Sequence, residues 1–287
     1  MLAVLGILVV VGSVVGGYLL ERGNLALLIQ PAEVVIIFGS AAGSLLLSSR
    51  AKIVKFIVRN IKLVFSSSGP NKESYLELLL LLYQIFSKIR KQGLLSIEAD
   101  VEEPTNSPIF SPYKAIISNA YILNFICDSF RVIVSTNMPP HEMDSLLDID
   151  IESQHHEALI PSMSIARISD ALPGLGIVAA VLGVVLTMGK INEPPEVLGH
   201  SVGAALVGTF LGVLSCYGFV GPMATKLEHE AKERQTLLNV IKTSLVAFIG
   251  DAAPRIAVES GRRAIPTEDR PSFVELEEAI RKWKEKG

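Results

Sequence analysis

The chain of 287 residues has only two cysteines, Cys127 and Cys216, and no CxxC or Cys/His spacing. That excludes a disulfide framework and leaves no ligand set for a zinc site. Neither charge is in large excess: the net charge is −3, so nucleic acid finds no basic surface. No phosphate loop, GxSxG, HExxH or nucleotide fingerprint occurs, so no catalytic residues, no cofactor and no metal are implied, and the chain does not read as an enzyme. The one tempting cluster is His155-His156-Glu157. Adjacent histidines on a helix point about 100° apart and cannot share a metal from one face. The N-terminus lacks a basic segment and a small-residue cleavage site, so the first apolar run reads as a retained span rather than a signal peptide.

What is abundant is apolar sequence. The chain is 49% hydrophobic with a mean hydropathy of +0.44, and the excess is concentrated. A helix needs about 20 apolar residues to cross the hydrocarbon core. Met1–Leu20, Val34–Ser49, Ala171–Gly189 and Val197–Thr225 meet or approach this, free of Asp, Glu, Lys and Arg. The second is short, with Pro31 suited to its start and Glu33 or Arg50 expected to snorkel at the interface. Tyr75–Phe86 is too short and contains Glu77, and Tyr113–Val134 carries Lys114, Asp128 and Arg131, so both read as core helices of a water-exposed part. Of 26 Lys and Arg, 12 fall between Arg50 and Arg167 and 12 from Lys226 onward. The cluster Arg50, Lys52, Lys55, Arg59, Lys62 follows the second span directly. By the positive-inside rule, 50–170 and the tail are cytoplasmic, as are both termini.

The fold expected is therefore an all-α integral membrane protein. It divides into a hairpin of spans 1 and 2 (1–49), a cytoplasmic helical domain (50–170), a hairpin of spans 3 and 4 (171–225) and a cytoplasmic helical tail (226–287). A turn-rich break covers 66–74. Helical patterns follow at 75–91, 94–102, 113–135 and 141–171, with a loop over Glu103–Pro112. The last pattern runs on into span 3, with Pro161 as a kink or break, and span 4 continues past Pro222 into 223–250. Ser272-Phe-Val-Glu275 reads as a capping box opening a tail helix that ends near Lys286. Small residues recur at four-residue spacing: Gly12/Gly16, Gly39/Gly43, Gly199/Gly203 and Gly208/Gly212. Such faces serve packing within one chain or contacts between subunits. No Asp, Glu, Lys or Arg lies inside any span so drawn. If the protein conducts ions, a partner must supply that group. The hydroxyls, Thr187 and Thr209 among them, are each expected to bond a carbonyl one turn back.

The stretches DALPGLGIVAAVLGVVLTMG (170–189), GAALVGTFLGVLSCYGFVGPMATKLE (203–228), MLAVLGILVVVGSVVGGYLL (1–20) and GLLSIEADVE (93–102) resemble the motility protein A family of flagellar motor stators. More distant are the ExbB/TolQ-type energising subunits of envelope transport systems, which have three spans. The resemblance implies an inner-membrane homopentamer around two copies of motility protein B, whose aspartate binds the ion, acting on the rotor switch protein FliG. It also implies roles. Thr209 would line the ion path with Ala180 nearby, Pro173 and Pro222 would couple ion passage to movement, and Arg90 and Glu98 would contact the rotor. Ala180 and Phe210 offer no oxygen to a cation, so the coupling ion is read as the proton. From the residues alone, Pro173 and Pro222 are as well read as a helix start and a kink, and Arg90 and Glu98 as solvated charges around a corner at Gly93.

Overall fold

A computed structural model describes residues 2–66, 69–136 and 138–286. Part of the break expected over 66–74 lies outside the described residues. The chain divides into two compact units. The first comprises residues 1–67 and 158–230, the second 68–157 and 231–287. Every long described element is a helix.

The first unit holds the apolar helices. They are α1 (Leu2–Leu20), the single turn α2 (Leu25–Leu28), α3 (Pro31–Ser48), the amphipathic α4 (Ala51–Ser66), residues 158–188 of α9 (Pro140–Met188), α10 (Pro195–Leu214) and the first part of α11 (Gly221–Ile249). Four stretches are long and apolar enough to cross a membrane: Leu2–Leu20, Leu25–Ser48, Pro140–Met188 and Pro195–Ile249. Pro31 stands at the start of α3, where its missing N–H leaves nothing unpaired. Pro161 does not break α9; helix runs through it and through Pro173. A π-helical turn over Ser215–Val220 joins α10 to α11, a feature the hydropathy pattern does not disclose. Large apolar side chains on α1 and on the outer face of α9, such as Leu8, Val181 and Leu186, stay uncovered. In water that would be untenable; against lipid or other subunits it is ordinary.

Glu33 departs from expectation. It does not snorkel. It lies inside the second apolar stretch and is buried, so the spans are not free of ionisable groups. The span was drawn from Val34 because hydropathy ends at a charge. The helix begins at Pro31 and carries the carboxylate inward.

The second unit is built around α5 (Lys72–Gln92). Its run Leu78, Leu79, Leu81, Leu82, Tyr83, Ile85 and Phe86 is buried on every side, as a helix apolar all round is at the centre of a core. Packed on it are α8 (Ala120–Ser135), through Phe125, Ile126 and Phe130, and α12 (Pro254–Ala264), through Ala257 and Val258. The 231–249 part of α11 and α13 (Phe273–Lys286) complete the shell. Phe86 stacks on Phe248 at 4.4 Å and 10°. The single pattern expected over 113–135 is two helices, α7 (Lys114–Ser118) and α8, because Asn119 turns its side chain to cap α8 at the N–H of Ile122. The helix α12 went unpredicted. Its Gly261 admits it against α11, since a Cβ there would meet Ser244 Oγ and stand 2.9 Å from the Val240 carbonyl. Lys242 ties α11 to the start of α9 through Asp144 (2.9 Å) and Asp148 (2.8 Å).

The capping box forms as expected. Ser272 N–H donates to Glu275 at 2.6 Å, and Glu275 N–H donates to Ser272 Oγ at 3.2 Å. Glu275 also pairs with Lys72 at 2.7 Å. Lys72 first, and then Ser272, pull its pKa down to about 2 from the ordinary 4.5. A depressed folded pKa contributes stability that is complete above the ordinary value and is lost as pH falls toward 2, and for a pair this open to solvent the contribution is small. Trp283, the one tryptophan, lies edge-on to Tyr83 at 5.8 Å and reports the docking of α13. The Trp283 emission of the full chain is expected to shift to the red between pH 4.5 and 2. Glu275→Gln should show part of that shift already at neutral pH and a flatter acid transition. Identical acid transitions in the two proteins would remove Glu275 from this role.

Candidate functional site

The residues singled out by sequence fall into two groups, one in each unit. In the first unit, α9 and α10 form a hairpin whose crossing is almost free of side chains. A Cβ on Gly176 would stand 2.7 Å from the Gly208 carbonyl, and one on Gly212 2.6 Å from the Leu172 carbonyl. A Cβ on Gly183 would stand 2.9 Å from the Ala205 Cα. Only glycine allows backbones this close. Gly208/Gly212 therefore serves packing within the chain, whereas Gly12, Gly16, Gly39 and Gly43 face open space.

Ala180 is buried in this crossing, with its backbone nitrogen 3.0 Å from where a Gly208 Cβ would be. Thr209 lies next to Gly208 and half-buried, its Cα 3.3 Å from where a Gly176 Cβ would be. Ala180 and Thr209 thus share one layer. Thr187 behaves as an isolated helical hydroxyl should, donating to the Gly183 carbonyl at 2.8 Å.

Pro173 and Pro222 are not side by side. Between them lies the bond from Ser169 Oγ to the Cys216 carbonyl, 3.1 Å, with Sγ of Cys216 at 3.3 Å. Farther along, Ser162 Oγ donates to the Ala224 carbonyl at 2.8 Å. Both serines are buried. The Cys216 carbonyl belongs to the π turn, whose register is one residue longer than that of an α-helix. Proline at 222 cannot donate a hydrogen bond, and the turn takes up the mismatch just before it. A cavity of about 390 Å³ opens here, lined by Ser169, Asp170, Tyr217, Pro222, Thr225 and Glu228 among others. Sequence reasoning named Pro222 but missed Ser162, Ser169 and the π turn. A buried serine looks like any other until its carbonyl partner across the hairpin is known.

In the second unit, α5 ends at Gly93, whose φ of +87° suits glycine, and the chain turns through Leu94–Ile97 into α6 (Glu98–Glu102). Ile97 and Val101 anchor α6 in the core. Beneath them Lys88 pairs with the buried Asp100 at 2.6 Å, and Ser107 Oγ donates to Asp100 at 2.7 Å. Arg90 and Glu98 stand on either side of this corner. They differ sharply. The Arg90 guanidinium is engaged by its own chain: Asp251 carboxylate at 2.7 Å, the Asp251 carbonyl at 2.8 Å, and the Phe248 ring 5.7 Å away. Glu98 is exposed and makes no ion pair among the described residues. Both cysteines are free and buried, and burial pushes the Cys127 thiol up to about 11. Among the described residues no group of His, Cys, Asp and Glu could hold a metal ion.

Comparison with known proteins agrees with this architecture. Residues 4–93 match the motility protein A N-terminal family, and residues 118–239 match the MotA/TolQ/ExbB proton channel family. The chain is 43% identical to motility protein A of Salmonella typhimurium over 281 residues, covering 98% of this chain and 95% of that one. It is 34% identical to chemotaxis protein LafT of Vibrio parahaemolyticus, with 97% and 96% covered. Among solved structures, C. jejuni MotAB superposes with a TM-score of 0.79 at 23% identity, over 94% of this chain and 98% of that one. The flagellar MotAB stator complex of Bacillus subtilis gives 0.77 at 19%, over 96% and 100%.

The crossing itself can be tested. Gly212→Ala places a methyl against backbone that cannot yield, so it should cost about 1–3 kcal/mol by overpacking and lower the thermal unfolding midpoint of the purified protein. Gly174→Ala, where a Cβ meets nothing within 4 Å, should leave it in place. Equal midpoints for the two variants would contradict the close approach.

Proposed function

This chain belongs to the motility protein A family, and from that membership we propose that it is the stator subunit of a bacterial flagellar motor, turning ion flow through the inner membrane into torque. The observation that carries the reading is likeness over nearly the whole chain at 43% identity, together with four apolar stretches, of which residues 171–188 of α9 and 197–214 of α10 contribute no Asp, Glu, Lys or Arg. A wall of that kind needs a partner with an ionisable group. The partner is motility protein B, two copies of which supply the ion-binding aspartate to a ring of five copies of this chain. The uncovered faces of α1, α3 and α9 support assembly and lipid contact. The Lys and Arg distribution puts the second unit and both termini on the cytoplasmic side, where the α5–α6 corner meets the rotor switch protein FliG. No chemistry of bond making is assigned to the chain.

Coupling ion and coupling residues follow. Thr209 brings a hydroxyl to this layer beside Ala180, and with only the Glu33 carboxylate against Gly208 added to it the layer serves a proton path but offers too few oxygens for a dehydrated sodium ion. Pro173 and Pro222 bracket the Ser169–Cys216 bond and the π turn, a stretch of helix with slack in its hydrogen bonding where movement is cheap. The ExbB/TolQ-type alternative is disfavoured, because such subunits have three spans and this chain has four candidates.

Deleting the gene is expected to leave flagella built but unable to turn; loss of assembly instead would sink the stator reading. Rotation should persist when sodium is replaced by potassium at fixed pH and stop with a protonophore, and the opposite pattern would make sodium the ion. For the rotor corner, Glu98→Lys should cut swimming severalfold by charge alone, because Glu98 has no partner to lose among the described residues. Arg90→Ala should also loosen the 250–253 turn that it holds, so its effect should exceed that of Arg90→Lys. If both Glu98→Lys and Arg90→Ala swim normally, the corner is not the rotor contact.

A further inference from the structure

Glu33 is a buried carboxylate with nothing to bind. It is 7% exposed, and its Oε2 is closed off from solvent without a hydrogen-bond partner among the described residues. A Cβ on Gly208 would stand 2.5 Å from that oxygen, and one on Gly183 3.5 Å from Oε1. The carboxylate therefore fills the slot that two glycines leave open at the α9–α10 crossing. Helix capping does not account for it. An acidic residue in a first turn helps by facing the free N–H groups there, but α3 has no side-chain hydrogen bond at its N-terminus, and this side chain is turned into the hairpin.

An ionised carboxylate left unpaired in such a place costs several kcal/mol. Something must neutralise it. A metal cation would need several oxygens, and the slot offers glycine backbone and the side chains of Ala179 and Ala205. A proton needs only the one oxygen. We propose that Glu33 is a proton-binding site of this chain, taking a proton at Oε2 and releasing it into the layer of Thr209 and Ala180. In uptake, a hydronium O–H bond breaks, the Oε2–H bond forms, and water leaves. In release, the Oε2–H bond breaks and the proton passes to water or to the next carboxylate of the path. The site rests on the stator reading, which it deepens by placing an acceptor on this chain as well as on its partner.

Where Cβ atoms on Gly183 and Gly208 would stand, Glu33 is joined by Ala179 and Ala180 of α9 and Ala205 of α10, none of which titrates. Along these helices the nearest ionisable groups are Asp170 and Lys190 on one side of the hairpin, and Glu196 and His200 on the other. On α3 there is no other. His200 is eight residues before Gly208, about 12 Å along the helix.

The test uses the full chain with its partner in lipid nanodiscs, and difference infrared spectroscopy across pH. Wild type should show a carboxylic-acid carbonyl band that fades as pH rises. Glu33→Gln should remove one component of that band and leave the component of the partner's aspartate in place. In cells, Glu33→Gln should lower swimming speed at least threefold with normal amounts of assembled complex, and Glu33→Asp should shift the dependence of speed on external pH. A spectrum in which Glu33→Gln removes no titrating band overturns the proposal. So does Glu33→Gln swimming at wild-type speed at every pH. If Glu33→Gln does not accumulate, Glu33→Asp decides, and a pH profile identical to wild type overturns the site. Should the wild-type chain fail to restore rotation in a host without its own stator, the stator reading falls, while the infrared band still decides whether Glu33 binds a proton.

Discussion

The backbone-to-backbone contact of α9 with α10 is the constraint on which the rest of the first unit depends. Lipid supplies no hydrophobic drive for helices to associate, so the hairpin must hold by close packing and hydrogen bonds. Gly176, Gly183, Gly208 and Gly212 provide the first. Once the backbones are in contact, side chains are displaced to other faces. Ala180 is shut inside, Thr209 stands at the edge of the crossing, and the bulky residues of α9, such as Ile177 and Val181, are left exposed. The same glycines make room for Glu33. A single change of glycine to any larger residue would therefore disturb packing and polar arrangement together.

Beyond the crossing, adhesion passes from glycine to hydroxyl. Ser169 and Ser162 reach carbonyls of Cys216 and Ala224, and each bond is worth about 1 kcal/mol net. This is a weaker clamp than packed glycines, and it lies where the backbone leaves α-helical register and where proline removes a donor. The hairpin thus has a rigid end and a compliant end along one pair of helices. Elements that move are drawn from the less stable parts of a structure, while the remainder keeps the path aligned.

The sequence discloses these features unevenly. Helices in lipid announce themselves by composition, so the four apolar stretches, Pro31 at the start of α3 and the Ser272/Glu275 capping box were all legible. The interior of α5 was legible for the same reason: a run of leucines without polar interruption has nowhere to be but inside. Features that depend on a partner far along the chain were not. Nothing local marks Asn119 as a cap rather than a mid-helix residue, Gly261 as a contact point, or Ser169 as a tie to the Cys216 carbonyl. Glu33 was misplaced by the very rule that found the spans. Hydropathy treats a charge as a boundary, and only the glycines of two other helices reveal that a cavity awaits it.

The two corner residues show how one charge can be structural and its neighbour free. Arg90 holds the 250–253 turn through a carboxylate and two carbonyls, at a site where Asp251 already adopts φ of +70°. Exposed ion pairs contribute little alone. Here the guanidinium fork fixes backbone, and lysine would not reproduce its planar pattern. Glu98, a few residues on, rides a helix pinned by Ile97, Val101 and the Lys88–Asp100 pair, and its carboxylate points to solvent. Its position is rigid although the group itself is uncommitted. A partner approaching this corner meets an available negative charge on a fixed mount, beside a positive charge that must first be drawn from its own chain. Complementarity at such a surface governs encounter and register more than affinity. The charge this corner offers is thus set by Glu98, with Arg90 acting as the brace that keeps the adjoining turn in place.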